Sequence, residues 1–218
     1  MPQTFGYSPP PDEGLRLVYC DDVLLVLDKP AGLLAVPGRG ADKQDCLATR
    51  VLREFADVRV VHRLDMATSG LMLFARNAEM QSCLSGLFRD RLVAKRYVAI
   101  VTGKPEPASG KVALPIAADW PNRPLRKVDV ATGKPSLTRY RMLEHDSASN
   151  TSRVALEPVT GRTHQLRVHM AAIGHPIIGD ALYGSSAGAT RLMLHARQLS
   201  FAHPVSGEVL ELTGEPPF

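Results

Sequence analysis

An unbroken apolar run, Leu71-Met72-Leu73-Phe74-Ala75, places the strongest constraint on how this chain can fold. Four large apolar residues and an alanine, directly after a polar stretch, predict a strand that is buried on both faces. The polar stretch is His62–Gly70, HRLDMATSG, which contains the carboxylate Asp65 two residues after Arg63. We therefore expect Asp65 to lie in a turn that leads into a core strand, where a rigid element would hold the carboxylate in place.

The bulk properties exclude several classes of protein. The chain has 218 residues, of which 44% are hydrophobic and 22% charged, as is ordinary for a soluble globular protein. No apolar run reaches the roughly 18 residues of a membrane helix, and the N-terminus lacks the basic and apolar regions of a secretory signal. The three cysteines are far apart and form no CxxC pair. This pattern favours a cytoplasmic protein without a zinc site, disulfides or membrane contact.

The distribution of basic residues favours a polyanionic partner. The net charge is +4, and basic side chains cluster within residues 89–96 and 123–127. Either cluster alone is compatible with an ordinary solvated surface. Together with Arg63, Arg162 and Arg167, the two clusters favour a surface that follows the phosphates of a nucleic acid.

Local patterns predict most of the secondary structure. The proline-rich residues 1–13 are expected to be poorly ordered, and residues 14–218 to form the folded domain. Alternating or apolar segments predict strands at 15–19, 23–28, 95–101, 136–143 and 152–157. Helix caps are expected at Asp42, Asn77 and Thr163. The helix after Asn77 should bury Met80, Leu84, Leu87 and Phe88, and the one after Thr163 should bury Leu166, Met170 and Ile173.

Residues 102–135 are rich in proline and glycine and contain the only tryptophan, Trp120. Long loops of this kind tend to be either functional or disordered. An aromatic side chain close to Arg123 could stack on bases or lie along phosphates. It could equally anchor the loop to the core, and the sequence leaves both interpretations open.

Several motifs together resemble the RluA-type pseudouridine synthases. They are H-R-L-D-x-x-T-S-G at 62–70, K-P-x-G-L at 29–33, Tyr-x-Ala at 97–99, G-R-T-H-Q-L-R-x-H at 161–169 and GHPIIGDALYG at 174–184. The resemblance extends over about residues 15–213, without the additional N-terminal RNA-binding domain of many relatives. It implies an α/β fold of the α+β type, with a mixed, mostly antiparallel central sheet and flanking helices.

The resemblance implies cofactor-free isomerisation of specific uridines in RNA to pseudouridine, with flipping of the target base. It is strongest to short family members that act on stem-loops of both 23S rRNA and tRNA, the latter at the anticodon stem-loop. The alternatives are activity on only one of these RNA classes, or a catalytically silent RNA-binding module. A hydrolase or a metal-dependent nuclease would need a second carboxylate or a metal cluster, which the sequence does not show. A monomer is expected.

The resemblance also implies roles for individual residues. Asp65 is expected to act at C1′ of the uridine, as a nucleophile that forms an ester, as the partner of a glycosyl cation, or in elimination to a glycal. Arg167 is expected to pair with Asp65 and Tyr97 to act as a general base or proton relay, while Arg63 fills the gap left by the flipped uridine. Further substrate contacts are expected from His62, Thr68, Arg162, His164 and Gln165.

Overall fold

The computed structural model describes residues 6–184 and 189–218. The chain divides into two compact units, of which unit 1 contains Met1–Val93 and Gln198–Glu215 and unit 2 contains Ala94–Arg197 and Pro216–Phe218. The strands are β1 (Leu17–Cys20), β2 (Leu24–Lys29), β3 (Arg59–Val60), β4 (Ser69–Ala75), β5 (Ala94–Thr102), β6 (Ser109–Val112), β7 (Ile116–Ala118), β8 (Arg126–Val128), β9 (Thr138–Asp146), β10 (Thr151–Pro158), β11 (Leu194–Ala202) and β12 (Val209–Thr213). The helices are α1 (Leu47–Glu54), α2 (Ala78–Arg89) and α3 (Gln165–Ala172).

Strand β4 forms the core of unit 1. All seven of its residues are buried, as the apolar run predicted. It pairs antiparallel with β2 in a register that places Leu71 opposite Asp28 and Gly70 opposite Lys29. Side chains from β2, β4, α2 and the end of β11 form one apolar cluster. Leu71, the first residue after the polar stretch, is therefore fully buried in this cluster.

Helix α2 confirms the predicted cap at Asn77. The Asn77 side-chain oxygen accepts a hydrogen bond from the Met80 amide at 2.8 Å. Leu84 is fully buried, and Met80, Leu87 and Phe88 pack against the cluster as partly buried side chains. The apolar stripe expected from the sequence is thus the stripe that the helix presents to the core.

The cap predicted at Asp42 is wrong. Asp42 lies in a short 3-10 helix, Ala41–Lys43, and α1 begins only after Cys46. The Cys46 sulfur accepts a hydrogen bond from the Thr49 amide at 3.4 Å, and the Thr49 hydroxyl accepts one from the Cys46 amide at 3.0 Å. These two hydrogen bonds form a capping box that satisfies backbone amides at the start of α1, so Asp42 is not needed as a cap.

The N-terminal segment expected to be poorly ordered lies partly outside the described residues, which begin at residue 6. The Tyr7 hydroxyl donates to the Asp45 carbonyl at 2.9 Å, and the guanidinium of Arg50 donates to the Pro10 carbonyl at 2.7 Å. Arg50 is 6% exposed and also binds the Asp45 carboxylate at 2.8 Å. Tyr7 and Pro10 therefore contact Asp45 and Arg50 at the start of α1, and poor ordering of residues 1–13 stays a prediction.

Unit 2 is built on antiparallel strands in the order β5, β10, β9, β6. A separate hairpin pairs β7 with β8, and helix α3 contacts β8, β9 and β10. The predicted mostly antiparallel α+β arrangement is confirmed. None of the helices in the described residues has both the length and the apolar character needed to cross a bilayer.

Candidate active site

Asp65 begins a tight turn at the start of β4. The Thr68 amide donates to the Asp65 carbonyl at 3.1 Å, which closes the turn. Thr68 and Ser69 are each only 3% exposed, so the turn passes directly into the core. Gly70 has a φ of 113°, a conformation that side-chain-bearing residues rarely adopt. The final glycine of the motif is thus required for the step from turn to strand.

The Lys29 side chain binds the backbone of this turn. Its ammonium group is fully buried and donates to the carbonyl oxygens of Pro30, Leu33 and Met66 at 2.8, 2.7 and 3.1 Å. The Gly32 amide donates to the same Met66 carbonyl at 2.9 Å. The K-P-x-G-L motif therefore supports the residue that follows Asp65, a role that the sequence analysis did not find.

Of the three residues before Asp65, His62 is half-buried, Arg63 is exposed and Leu64 is buried. His62 Nε2 lies 2.9 Å from the Leu73 amide, which donates to it, and the ring stacks on Phe88 with centroids 4.3 Å apart. A backbone amide can only donate, so Nε2 of His62 is the acceptor of this bond. Leu64 is 5% exposed, whereas Arg63 is exposed. The hydrogen-bonded His62 and the buried Leu64 thus hold the backbone on either side of Arg63.

Helix α3 differs from its predicted start. His164, rather than Thr163, is the residue before the first helical turn, and it has a left-handed φ of 57° without a side-chain cap. Its Nδ1 forms a 2.7 Å hydrogen bond with the Tyr183 hydroxyl instead. The cap predicted at Thr163 is therefore wrong, because the helix begins one residue later and the side chain of its N-cap residue, His164, bonds to Tyr183 rather than to the helix.

The helix also buries polar side chains together with the expected Leu166 and Met170. Gln165 is 3% exposed, and its oxygen accepts from the Thr160 hydroxyl at 2.7 Å and from the Arg162 amide at 3.1 Å. Its amide group donates to the Leu137 carbonyl at 3.0 Å. These bonds occupy the side chain within the protein, so its expected contact with substrate stays a prediction.

His169 completes this buried network. Its Nε2 lies 2.9 Å from the Leu114 carbonyl, to which it donates, and its Nδ1 lies 2.9 Å from the Thr138 hydroxyl. Burial lowers the pKa of His169 below its ordinary value, although the bond to Leu114 opposes this effect. The ring is therefore neutral, and α3 is held to β9 by uncharged hydrogen bonds.

Arg167 forms a buried bidentate ion pair with Asp180. Nε and Nη2 of Arg167 lie 2.8 and 2.7 Å from the two carboxylate oxygens, and the two side chains are 5% and 0% exposed. Burial alone would raise the pKa of Asp180, but the hydrogen bonds and charge of Arg167 hold it below its ordinary value. Sequence reasoning missed Asp180, although it lies within the GHPIIGDALYG motif.

Tyr183 connects this ion pair to its surroundings. Its ring lies 5.2 Å from the Arg167 guanidinium carbon, and its hydroxyl accepts a hydrogen bond from the Arg126 amide at 2.8 Å. The Asp180 carboxylate in turn accepts from the Leu182 and Tyr183 amides at 2.9 and 3.2 Å. The guanidinium of Arg167 is thus held in one orientation by a carboxylate and an aromatic ring.

The predicted site residues fall into two groups. Unit 1 brings together His62, Arg63, Asp65 and Thr68 on one turn. In unit 2, His164, Gln165 and Arg167 lie at the start of α3. Tyr97 is half-buried on β5, opposite Leu156. Arg162 donates to the Pro135 carbonyl at 3.3 Å. The pairing of Asp65 with Arg167 stays a prediction.

The chemistry that these groups can perform is nucleophilic or electrostatic catalysis by a carboxylate. Asp65 is half-buried on a rigid turn, and no metal is needed for a carboxylate to act at a sugar carbon. Within residues 6–184 and 189–218, no group of three or more His, Cys, Asp or Glu side chains is arranged to hold a metal ion.

Solved structures define the class. The fold matches human RNA Pseudouridylate Synthase Domain Containing 1, with 33% identity, a TM-score of 0.79, and coverage of 97% of this chain and 87% of that one. Human RNA Pseudouridylate Synthase Domain Containing 4 gives 27% identity, a TM-score of 0.73, and coverage of 92% and 88%. The fold is therefore that of the RNA pseudouridylate synthases.

Sequence comparison identifies the family. The family model for RNA pseudouridylate synthase matches residues 23–172. The chain is 49% identical to the Dual-specificity RNA pseudouridine synthase RluA of Escherichia coli (strain K12). The match extends over 205 residues, which are 93% of each chain. It is 48% identical to the protein of the same name from Vibrio parahaemolyticus, over 92% of this chain and 82% of that one. The chain belongs to the RNA pseudouridylate synthase family and is an isomerase, as its motifs predicted.

Proposed function

We propose that this enzyme isomerises uridines in stem-loops of both 23S rRNA and tRNA. The observation that carries the proposal is the 49% identity, over 93% of both chains, to a relative named a dual-specificity synthase. Since both RNAs are components of the translation apparatus, we place the enzyme in the cytoplasm. We expect it to act as a monomer.

Asp65 attacks C1′, stabilises a glycosyl cation there, or takes part in elimination to a glycal, while the bond from C1′ to N1 of the uracil breaks. The base turns, C5 bonds to C1′, and the proton on C5 is lost as N1 gains one, so that the product is an isomer of the substrate. The rigid turn and the buried Lys29 beneath it support this role, because they hold the carboxylate without requiring it to rearrange during the reaction.

Tyr97 packs against the uracil and relays the proton, and Arg167 is the expected partner of Asp65. The bidentate bond to Asp180 supports the role of Arg167, because it fixes the plane of the guanidinium. Arg63 enters the stack of the RNA in place of the flipped uridine. Its exposure between the half-buried His62, which accepts a hydrogen bond from the Leu73 amide, and the buried Leu64 supports that role.

Release of tritium from RNA labelled at uridine C5 tests the proposal. The parent enzyme should release tritium from an isolated anticodon stem-loop and from a 23S rRNA hairpin without cutting either strand. Asp65→Asn should abolish release while RNA binding persists, because the amide has nearly the shape of the carboxylate but no charge. Turnover of this variant within about tenfold of the parent would remove Asp65 from the mechanism.

Mapping of pseudouridines in cells tests the two substrates separately. Cells that lack the protein should lose a pseudouridine in both RNA classes, and complementation should restore both. Loss in only one class would reduce the proposal to a synthase with a single class of substrate.

A further inference from the structure

The hairpin of β7 and β8 ends in a turn with a fixed path. The Asp119 amide donates to the Leu125 carbonyl at 3.1 Å, and the Asn122 amide donates to the Asp119 carbonyl at 3.1 Å. The Asn122 side chain adds a 3.0 Å bond to the Asp119 carboxylate. A side chain at this tip is therefore presented from a closed, hydrogen-bonded loop.

That turn presents the only tryptophan of the chain. Trp120 is 67% exposed, and the guanidinium carbon of Arg123 lies 3.5 Å from its ring centroid. A tryptophan that anchors a loop to the core would bury most of its ring, so this exposure excludes one of the two interpretations that the sequence left open. The cation on the ring holds the indole in place.

Arg123 and Arg126 supply positive charge near the indole, and the one carboxylate of the turn, Asp119, binds the Asn122 side chain. Across the part of the chain that the structure describes, neither Arg123 nor Arg126 has a carboxylate within 4 Å. The Nε of Arg126 is also a buried donor without a hydrogen-bond partner among these residues. An exposed aromatic face beside uncompensated arginines matches a nucleic acid, which offers base faces and phosphates together.

The base of the hairpin is tied to the predicted catalytic arginine. The Arg126 amide donates to the Tyr183 hydroxyl at 2.8 Å, and the Tyr183 ring lies 5.2 Å from the Arg167 guanidinium carbon. Both contacts lie within unit 2. A nucleotide held at the hairpin is thus placed at a fixed position relative to Arg167.

We propose that Trp120 is a stacking platform for an unpaired base of the substrate RNA outside the target uridine, with Arg123 supporting the indole and facing a phosphate. The proposal rests on the proposed function, because it assumes that an RNA loop is the substrate. It gives the enzyme a determinant of substrate choice on the hairpin, separate from the turn that carries Asp65.

Fluorescence tests the platform directly, because Trp120 is the only tryptophan and its emission reports on this site alone. The Asp65→Asn chain is titrated with a stem-loop RNA and with a blunt duplex that has the same number of phosphates. Stacking of a base should quench the emission with the stem-loop and leave it unchanged with the duplex. Equal quenching by both RNAs, or quenching that follows protein concentration without RNA, would overturn the proposal; the latter would indicate a second copy at this surface.

Variants separate stacking from charge. Trp120→Ala should raise the Kd for the stem-loop by roughly fivefold to 150-fold and leave the slope of log Kd against log salt unchanged. Arg123→Gln should reduce that slope by about 0.7, the value for one phosphate of a single strand. The matched control is Val130→Ala, which removes a side chain that is 84% exposed shortly after β8 and should change neither quantity.

The tritium assay distinguishes failure of this proposal from failure of the proposed function. If the parent turns over the stem-loop while Trp120→Ala retains the parent's Kd, the platform is refuted and the function stands. If the parent releases no tritium but the stem-loop still quenches Trp120, the proposed function fails, and Trp120 stacks on a base of an RNA that is not a substrate.

Discussion

The ion pair between Arg167 and Asp180 gives the sharpest test of how the structure supports the site. Asp180→Asn keeps the size of the side chain and one oxygen for the Leu182 and Tyr183 amides, but removes the charge that the Arg167 guanidinium faces. Both side chains are at most 5% exposed, so water cannot replace the lost partner. Breaking a buried pair by removal of one member costs about 3–5 kcal/mol of unfolding free energy.

For a chain of this length, each kcal/mol lowers the Tm by about 2–4 °C, so Asp180→Asn should lower it by roughly 6–20 °C. Calorimetry or circular dichroism at pH 7 measures this shift. Activity should also fall, because the guanidinium plane of Arg167 is no longer fixed. The folded-state pKa of Asp180 is lowered, so its stabilisation is present at neutral pH and is lost as the pH falls below the unfolded value of about 4. The Tm difference from the parent should therefore shrink in acid.

Asp129→Asn is the matched control. The Asp129 carboxylate accepts bonds from the Ala131 and Thr132 amides at 3.0 and 2.9 Å, the same local pattern that Asp180 has. Its cationic neighbour is Lys127, at 3.8 Å and 53% exposed, rather than a buried arginine. The control should shift the Tm far less than Asp180→Asn does. Equal shifts in the two variants would show that the turn bonds, and not the ion pair, provide the stabilisation.

Three further variants test other parts of the site. Tyr97→Phe should stop product formation in single-turnover assays while Kd changes only a few fold, because the ring remains and only the hydroxyl is lost; a normal rate would make Tyr97 structural. Arg63→Ala should reduce the rate on folded stem-loops more than on short unstructured RNA, which has no stacked gap to fill; equal losses would contradict this role. Lys29→Met should lower the unfolding free energy by about 1–3 kcal/mol, because the Pro30, Leu33 and Met66 carbonyls lose their donor. In the same denaturation experiment, the control Lys111→Met changes an exposed side chain and should cost less than about 0.5 kcal/mol.

Local patterns in the sequence were sufficient for the elements that flank Asp65. The apolar run predicted a fully buried β4, and Asn77 predicted the start of α2. Both predictions depend on neighbours within a few residues along the chain, where periodicity and capping chemistry act directly. The motifs, in turn, were specific enough to identify the family.

The structure was needed wherever a residue's partner is distant in sequence. The sequence offered no local reason for the ion pair between Asp180 and Arg167 or for the hydrogen bond between His164 and Tyr183. Nor did it indicate that the Lys29 ammonium group would bind three backbone carbonyls. Helix α3 was likewise expected to bury an apolar stripe. It also buries the polar side chains of Gln165, Arg167 and His169, which the apolar periodicity did not predict. Amino-acid sequence determined which elements form and which chemistry they carry. Tertiary structure decided how buried polar groups are satisfied, because each such group is stable only when a partner from elsewhere in the chain reaches it.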